Sequence, residues 1–272
     1  MAELISIIIS TYNREDALNA VLRSLAHQSD LDFEVIVADD GSSPSTAKLV
    51  DTWKAKIGRR VEHVWHPDQG FRLAEIRNRA ILAAHGTYCI FLDGDCIVRE
   101  DFVATHRRLA ERGWFVTGNR SLLSSGLTAK VLRENLTPET WRPARWLIER
   151  WRGGINRLSG LLQLPLGSLR RVRRSAWRGA RACNLAVWRA DLDRIDGFDA
   201  DYKGWGREDS DFIVRLLHAG VRRKDGVFAT GVIHLWHPDA DRSQLSENEY
   251  KLGAVIADGR VRARHGLSSL QS

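Results

Sequence analysis

Along the first third of the chain, apolar and polar positions alternate between two rhythms. Leu4 to Ser10 (LISIIIS) is an unbroken, largely β-branched run, the pattern of a strand covered on both faces. The next stretch, NREDALNAVLRSLAHQ, puts Ala17, Leu18, Val21, Leu22 and Leu25 on one helical stripe, with Asn13 as the expected N-cap and Asp16 three residues on. FEVIVADDGSS predicts a second strand that stops at acids, glycine and serine, TAKLVDTWK a helix, and VEHVWH a third strand. FRLAEIRNRAILAAHG predicts a helix closed by Gly86, and TYCIFLDGD a fourth strand that again ends at acids. Strands alternating with helices predict an α/β fold: right-handed crossover units on a mainly parallel central sheet flanked by helices.

From about Thr128 to Arg181 both rhythms break. Pro138, Pro143, Pro165, four tryptophans (Trp141, Trp146, Trp151, Trp177) and several glycines read as an irregular, partly helical and mobile insertion. Order resumes with ACNLAVWRADLDRIDGFD. EDSDFIVRLLHAG is expected to be a helix with acids in its first turn, where the helix dipole favours them, and Gly220 at its end. VFATGVIHLWHP predicts a late strand bearing His234 and His237, and the chain after Ser243 a polar helix fading into LSSLQS. There is no internal repeat. The expected organisation is residues 1–120, an α/β half; 121–181, a basic insertion; and 182–272, a second half with a helical tail.

A chain of 272 residues is long enough to bury a substantial core. Its net charge of +7 is unevenly spread: between Trp141 and Arg181 there are eleven arginines and one acid, Glu149, which leaves the rest close to neutral or acidic. Such a surface suits nucleic acid, an anionic lipid surface or a phosphorylated glycan. Three cysteines (Cys89, Cys96, Cys183) without a C-x-x-C pair fit neither a disulfide framework nor a zinc knuckle, and point to a reducing cytosol. The start, MAELISIII, lacks a basic region and a long apolar run, so no signal peptide is expected; no apolar stretch reaches the about 20 residues needed to span a bilayer.

Both acidic clusters fall at carboxyl ends of expected strands, the edge where open α/β sheets bind ligands. DDGS also reads as ordinary turn chemistry. In DGD, Asp93 and Asp95 can turn toward one hard cation, Gly94 letting the backbone bend tightly. In DYKGWGREDSDF, Glu208, Asp209 and Asp211 follow a tryptophan bracketed by Gly204 and Gly206. A helix N-terminus accounts for the acids but not for the glycine-bracketed tryptophan. His234 and His237 form H-x-x-H, where a strand histidine is either a ligand or simply packed and hydrogen-bonded.

Taken in order, SIIISTYNRED, VIVADDGS, DQGFRLAEIRNRAI, TYCIFLDGDC, ACNLAVWRADLDRIDGFD, GWGREDSDF and a late histidine resemble the inverting family-2 glycosyltransferases of the GT-A fold. The resemblance covers residues 4 to about 120 and about 182 to 238 and is nearest the galactosyltransferase-like and chondroitin-polymerase-like branch. Without a Q-x-x-R-W motif, processive synthases match poorly.

The resemblance implies a nucleotide-sugar-binding first half and a catalytic, acceptor-binding second half. It places Thr11, Tyr12, Arg14, Asp39, Asp40, Arg72, Arg77 and Asp93 against a UDP-sugar donor, with Asp40 and Asp39 at the base. Asp95 becomes a direct metal ligand, with Asp93 on the ribose or a metal-bound water and His234 completing the shell. The ion is Mn2+ or Mg2+, and an imidazole ligand favours Mn2+. Asp209 becomes the base that activates the acceptor hydroxyl, beside Glu208. Trp205, Gly206 and Asn184 become acceptor contacts, and Asp211 a helix-stabilising residue. Lys203 departs from the nearest galactosyltransferases, which carry a Trp-Gly pair there.

The implied activity is metal-dependent, inverting, non-processive transfer of a hexose or N-acetylhexosamine to a hydroxyl of a bacterial surface glycan or glycolipid, of the lipopolysaccharide or capsule type. A cytoplasmic protein is expected, peripheral on an anionic membrane through Trp141–Arg181, or using that segment to clasp a lipid-linked acceptor or as a folded basic subdomain. Nothing beyond the basic residues supports nucleic-acid binding. A sugar nucleotidyltransferase would need a glycine-rich, lysine-bearing phosphate loop, which STYNRED is not. A catalytically silent glycan-binding protein of the same fold is the remaining alternative.

Overall fold

The computed structural model describes residues 2–271; Met1 and Ser272, the ends of the first and last segments read above, lie outside them. Every residue of β1 (Ile5–Thr11) is buried, and its side chains divide between two cores: Ile5, Ile7 and Ile9 on one face, Ile8 on the other. The same division runs through β2 (Phe33–Asp39), with Val35 and Val37 against Ile36 and Ala38. This two-faced burial is what makes the strands read as continuous apolar runs. Between them, α1 (Glu15–Ala26) buries Ala17, Leu18, Val21, Leu22 and Leu25, the stripe the sequence displays.

Asn13 does not cap α1. It stands in the left-handed region at φ 46°, its amide N–H donating to Ser42 Oγ and its side-chain oxygen accepting from the Ser43 N–H, so it pins the neighbouring loop instead. The chain continues through α2 (Pro44–Ile57), β3 (Val61–Trp65), α3 (Leu73–Ala83) and β4 (Tyr88–Asp93). Gly86 does not close α3, which ends at Ala83. A Cβ at Gly86 would lie 2.4 Å from Ser6 Oγ, so glycine is needed there for close approach to β1.

Beyond β4 come β5 (Cys96–Ile97), α4 (Phe102–Leu109), β6 (Trp114–Thr117) and β7 (Arg120–Leu122). The basic stretch contains α5 (Ser125–Arg133), α6 (Pro143–Trp151) and a short 3-10 helix, Gly167–Arg171. Most of its tryptophans are packed rather than displayed: Trp146 is buried with its ring 4.9 Å from that of Trp141, Trp177 is partly buried, and Trp151 alone of the four is exposed, at 87%. The chain then forms β8 (Asn184–Trp188), α7 (Arg189–Ile195), α8 (Glu208–His218), β9 (Arg222–Asp225), β10 (Val232–His234) and α9 (Leu245–Asp258). Gly220, at φ 82°, ends α8 as expected. The expected late strand is shorter than read, because Val227–Thr230 turns back before β10. The LSSLQS tail docks through Leu267, whose N–H donates to the Asp196 carbonyl, rather than fading.

Seven strands form the main sheet in the order β3-β2-β1-β4-β8-β6-β9. All neighbours are parallel except where β8 pairs antiparallel with β4 and β6. A second sheet, β5-β10-β7, lies beyond the end of β4. The strand register puts Thr11 opposite Asp39 and Ser10 opposite Asp93, so three loop-starting positions share one sheet edge. No helix among the described residues is long and apolar enough to cross a membrane.

Candidate active site

Parallel strands all end on one edge, and that edge gathers the acidic motifs. Thr11 is nearly buried and its Oγ1 has no protein partner. Tyr12 is half exposed and donates its hydroxyl to Asp68 Oδ2 at 2.9 Å. Asp39 is fully buried and both its oxygens are engaged, one by the Ser42 N–H at 2.8 Å and one by His63 Nε2 at 2.8 Å. It therefore holds the loop. Asp40 receives His66 Nε2 at 2.7 Å and the Arg72 N–H at 2.9 Å, and burial raises its carboxyl above the usual range. The Arg72 guanidinium turns to Glu75 and the Pro67 carbonyl. Arg14 pairs with Asp16 and is close enough for its charge to be felt by Asp95.

Arg77 ties the two halves together. The sequence leaves it either as a nucleotide contact or a solvated helix residue; in the fold it is 2% exposed. Its Nε donates to Ser10 Oγ at 3.0 Å, Nη2 to Asp93 Oδ1 at 3.0 Å, and Nη1 lies 3.5 Å from Glu208 Oε1. One guanidinium thus touches the end of β1, the end of β4 and the start of α8, across more than half the chain. Asp93 is thereby directed to Arg77, while the side chains whose ligand atoms gather at one point are those of Asp95, His234 and His237. Gly94 is needed for proximity rather than for a turn: a Cβ there would lie 2.9 Å from the Ser10 carbonyl oxygen.

Asp95 lies with two histidines in a group that could hold a metal ion. His234 Nε2 is 3.5 Å from Asp95 Oδ1 and His237 Nε2 is 3.5 Å from Asp95 Oδ2, and the three can present ligand atoms within 4.8 Å of one another. The resemblance names His234 as a ligand and leaves His237 out. In a continuous strand, residues three apart face opposite sides; β10 stops at His234, which frees His237 to curl back. One carboxylate and two imidazoles suit a borderline divalent ion. Burial lifts the Asp95 carboxyl, and the Asp93 charge adds to the lift; burial also depresses His234, as the Arg120 charge does.

Glu208 and Asp209 open α8. The preceding loop is held in unusual backbone: Gly204 at φ 70°, Gly206 at φ 106°, and Arg207, a residue with a Cβ, at φ 77°. Burial and the Asp209 charge push the Glu208 carboxyl up to about 7, and Glu208 Oε2 is buried without a partner. Asp209 is raised chiefly by burial, against the lowering charges of Arg77 and Arg181. Arg181 went unnoticed in the sequence, merged in the basic run. Trp205 is partly exposed beside them with the Arg242 guanidinium 5.0 Å from its ring centre. Asn184, expected among the acceptor contacts, has a place in the interior of the fold. It is fully buried, donating to the Thr230 carbonyl and sitting 3.3 Å from His106 Nε2, and it fastens β8 to the turn before β10. Asp211 is likewise internal, bonded to Arg215 within α8 at 2.8 Å.

The glycosyl transferase family 2 profile matches residues 6–177, and the profile described as the N-terminal domain of galactosyltransferase matches residues 171–237. Validoxylamine A glucosyltransferase of Streptomyces hygroscopicus subsp. limoneus is 29% identical over 80% of this chain and 49% of its own length. Chondroitin synthase of Pasteurella multocida (strain Pm70) is 27% identical over 79% of this chain and 23% of its own. The chain thus spans about half or less of these curated relatives. Among solved structures, S. aureus TarS 1-349 in complex with UDP-GlcNAc superimposes with TM-score 0.64 at 17% identity, over 97% of this chain and 68% of that one. The mannosyltransferase PcManGT from Pyrobaculum calidifontis, in complex with GDP-Man and Mn2+, gives 0.59 at 19%, over 86% and 56%. At that identity the likeness shows the fold alone, the GT-A α/β architecture expected from the sequence.

Proposed function

The chain belongs to glycosyl transferase family 2, and from that premise we propose that it is a metal-dependent, inverting, non-processive hexosyltransferase. Its donor is a UDP-linked hexose or N-acetylhexosamine, and its acceptor a hydroxyl of a bacterial surface glycan, lipid-linked, at the cytoplasmic face of a membrane. The observation that carries the reading is Arg77, which brings Asp93 and the Glu208/Asp209 pair to one cleft.

Asp209, ionised, takes the proton of the acceptor hydroxyl as its oxygen bonds to the anomeric carbon. The bond from that carbon to the diphosphate breaks on the opposite face, which inverts the centre. Glu208, near half-protonated at neutral pH, donates a hydrogen bond to a sugar hydroxyl. Arg77 holds Asp93 and Glu208 in register and keeps the acid pair from ionising against an uncompensated field. Tyr12 and Asp40 support the nucleoside, and Trp205 offers an apolar face to a sugar. Asp95, His234 and His237 would hold Mn2+ or Mg2+, which supplies charge neutralisation for a leaving diphosphate. On the outside, α6 exposes Leu147, Ile148 and Trp151 among Arg142, Arg150 and Arg152, a face suited to an anionic membrane interface.

The test is Asp209→Asn assayed against a panel of UDP-sugars. Nucleotide binding should persist while turnover falls by about a thousandfold, within the usual general-base contribution, because the nucleophile is otherwise a neutral hydroxyl. Near-normal turnover would refute the assignment of the base.

A further inference from the structure

A cavity of about 670 Å³ opens on the opposite margin of the main sheet, against its edge strand β9. It lies between the C-terminal end of α4 and the 3-10 helix Gly167–Arg171, and none of its lining residues belongs to the acidic cleft. Its volume is in the range of small-molecule sites.

Four cations face it: Arg108, Arg170, Arg171 and Lys224. Glu111 is shared by Arg171 and Lys224 at 2.8 and 2.6 Å, and the Asp225 carboxylate, paired with Arg223, is felt by Arg170. Arg170 is nearly buried and bonds only carbonyl oxygens, those of Asp225, Val227, Leu164 and Phe228. Arg108 donates to Thr105 Oγ1 and has no ion-pair partner among the described residues. Burial, and after it the Arg108 charge, hold Arg170 below its ordinary range against the opposing charge of Asp225. The walls between the cations are apolar, with Leu164, Pro165, Leu166 and Phe228. Next in the chain to the lining residues Gln163, Ser168 and Arg171, Leu162, Leu169 and Val172 are 52, 63 and 74% exposed.

A surplus of fixed cations in a concave, partly apolar wall selects an anion, and the planar guanidinium forks of Arg108 and Arg171 select phosphate in particular. An exposed aliphatic rim selects a ligand with hydrocarbon next to that phosphate. We propose that this cavity is a second ligand site that takes the phosphate or diphosphate head of an anionic amphiphile, with Leu162, Leu169 and Val172 against its hydrocarbon. The site is independent of the transfer chemistry and of the α6 face. It gives the chain a second hold on a membrane or on a lipid-linked phosphate, away from the cleft.

The experiment uses the full chain with vesicles of phosphatidylcholine, with and without phosphatidylglycerol, and inorganic diphosphate as the soluble probe. Arg108→Ala with Arg171→Ala removes two cavity charges, while Arg150→Ala with Arg152→Ala removes two on α6. At about fivefold per arginine, the cavity pair should weaken binding to the anionic vesicles by about 25-fold. Diphosphate should compete with the vesicles for the wild type and for the α6 pair, but not for the cavity pair. Slow hydrolysis of a UDP-sugar in vesicle-free buffer should be unchanged in the cavity pair, which separates this result from failure of the enzyme reading. Ser168→Cys, with all cations intact and the three native cysteines buried, carries an environment-sensitive dye on the rim. The dye should shift to the blue on anionic vesicles. Equal losses in the two alanine pairs would reduce the effect to diffuse attraction and overturn the site. Binding of diphosphate without any dye shift on vesicles would overturn the amphiphile and leave a soluble phosphate ester as the ligand.

Discussion

Glu208 and Asp209 stand next to each other at one buried helix start, and two such carboxyls lose their protons in coupled steps. With Glu208 raised to about 7, the folded chain binds more protons than the unfolded one between about pH 4.5 and 7. The Glu208 contribution to stability therefore falls as pH rises through that window, by roughly 3 kcal/mol when the penalty is complete. Glu208→Gln removes the titration. It should melt higher than the wild type at pH 8 and at nearly the same temperature at pH 4.5; a uniform loss at both would show that the ionised form is not penalised. Arg77 acts in the other direction, since its charge lowers both carboxyls. Arg77→Met should move the acid limb of the pH–rate profile upward, as Asp209 then keeps its proton to higher pH. It should also destabilise the fold by about 3–5 kcal/mol, the usual result of stripping one partner from a buried charge network. An unmoved acid limb would mean that Asp209 does not feel Arg77, and the single-cleft geometry would fail with it.

At the level of elements, the strands and helices of the first half were legible because burial on both faces leaves an unmistakable apolar run, and the first stripe maps residue for residue onto α1. The errors fall where side chains serve tertiary contacts rather than local structure. Asn13 looks like a cap and is a loop pin; Gly86 looks like a helix stop and is a point of strand contact. β9 is Arg-Arg-Lys-Asp, which reads as loop, because its inward residue Arg223 is paired with Asp225 and enters the interior as an ion pair. Asn184, expected at the acceptor, is in the fold a bolt between β8 and the chain leading to β10. Asn184→Ala should leave acceptor KM unchanged and cost about 1–3 kcal/mol of stability, since it orphans the Thr230 carbonyl and the His106 imidazole. A specific rise in acceptor KM with no change in melting would restore Asn184 to the site.

Across the whole molecule, the candidate site is assembled from segments that no local pattern connects: the ends of β1, β2 and β4, the start of α8, and the short sheet that presents His234. The sequence displays each motif, but the joint between them is a single buried arginine, and burial of an arginine leaves no mark in a helix rich in charged residues. The same limit hid the partition of the DGD carboxylates, which sequence alone treats as equivalent. In the fold they separate, Asp93 toward Arg77 and Asp95 toward the two histidines. Metal binding should expose that division. An ion bound only by the folded chain stabilises it by about 2.7 kcal/mol at a hundred times its Kd, a rise of roughly 5–10 °C for a chain of this size. Mn2+ should produce that rise in the wild type, and a chelator should reverse it. Asp95→Asn and His237→Ala should each lose about half of it or more by weakening affinity at least about tenfold, no less than loss of an outer-shell partner does. Asp93→Asn should keep it and lose turnover instead, because Asp93 answers to Arg77. Equal loss of the Mn2+ shift in Asp93→Asn and Asp95→Asn would show that the two carboxylates share the ion, and that the Arg77 contact gives way when metal is bound.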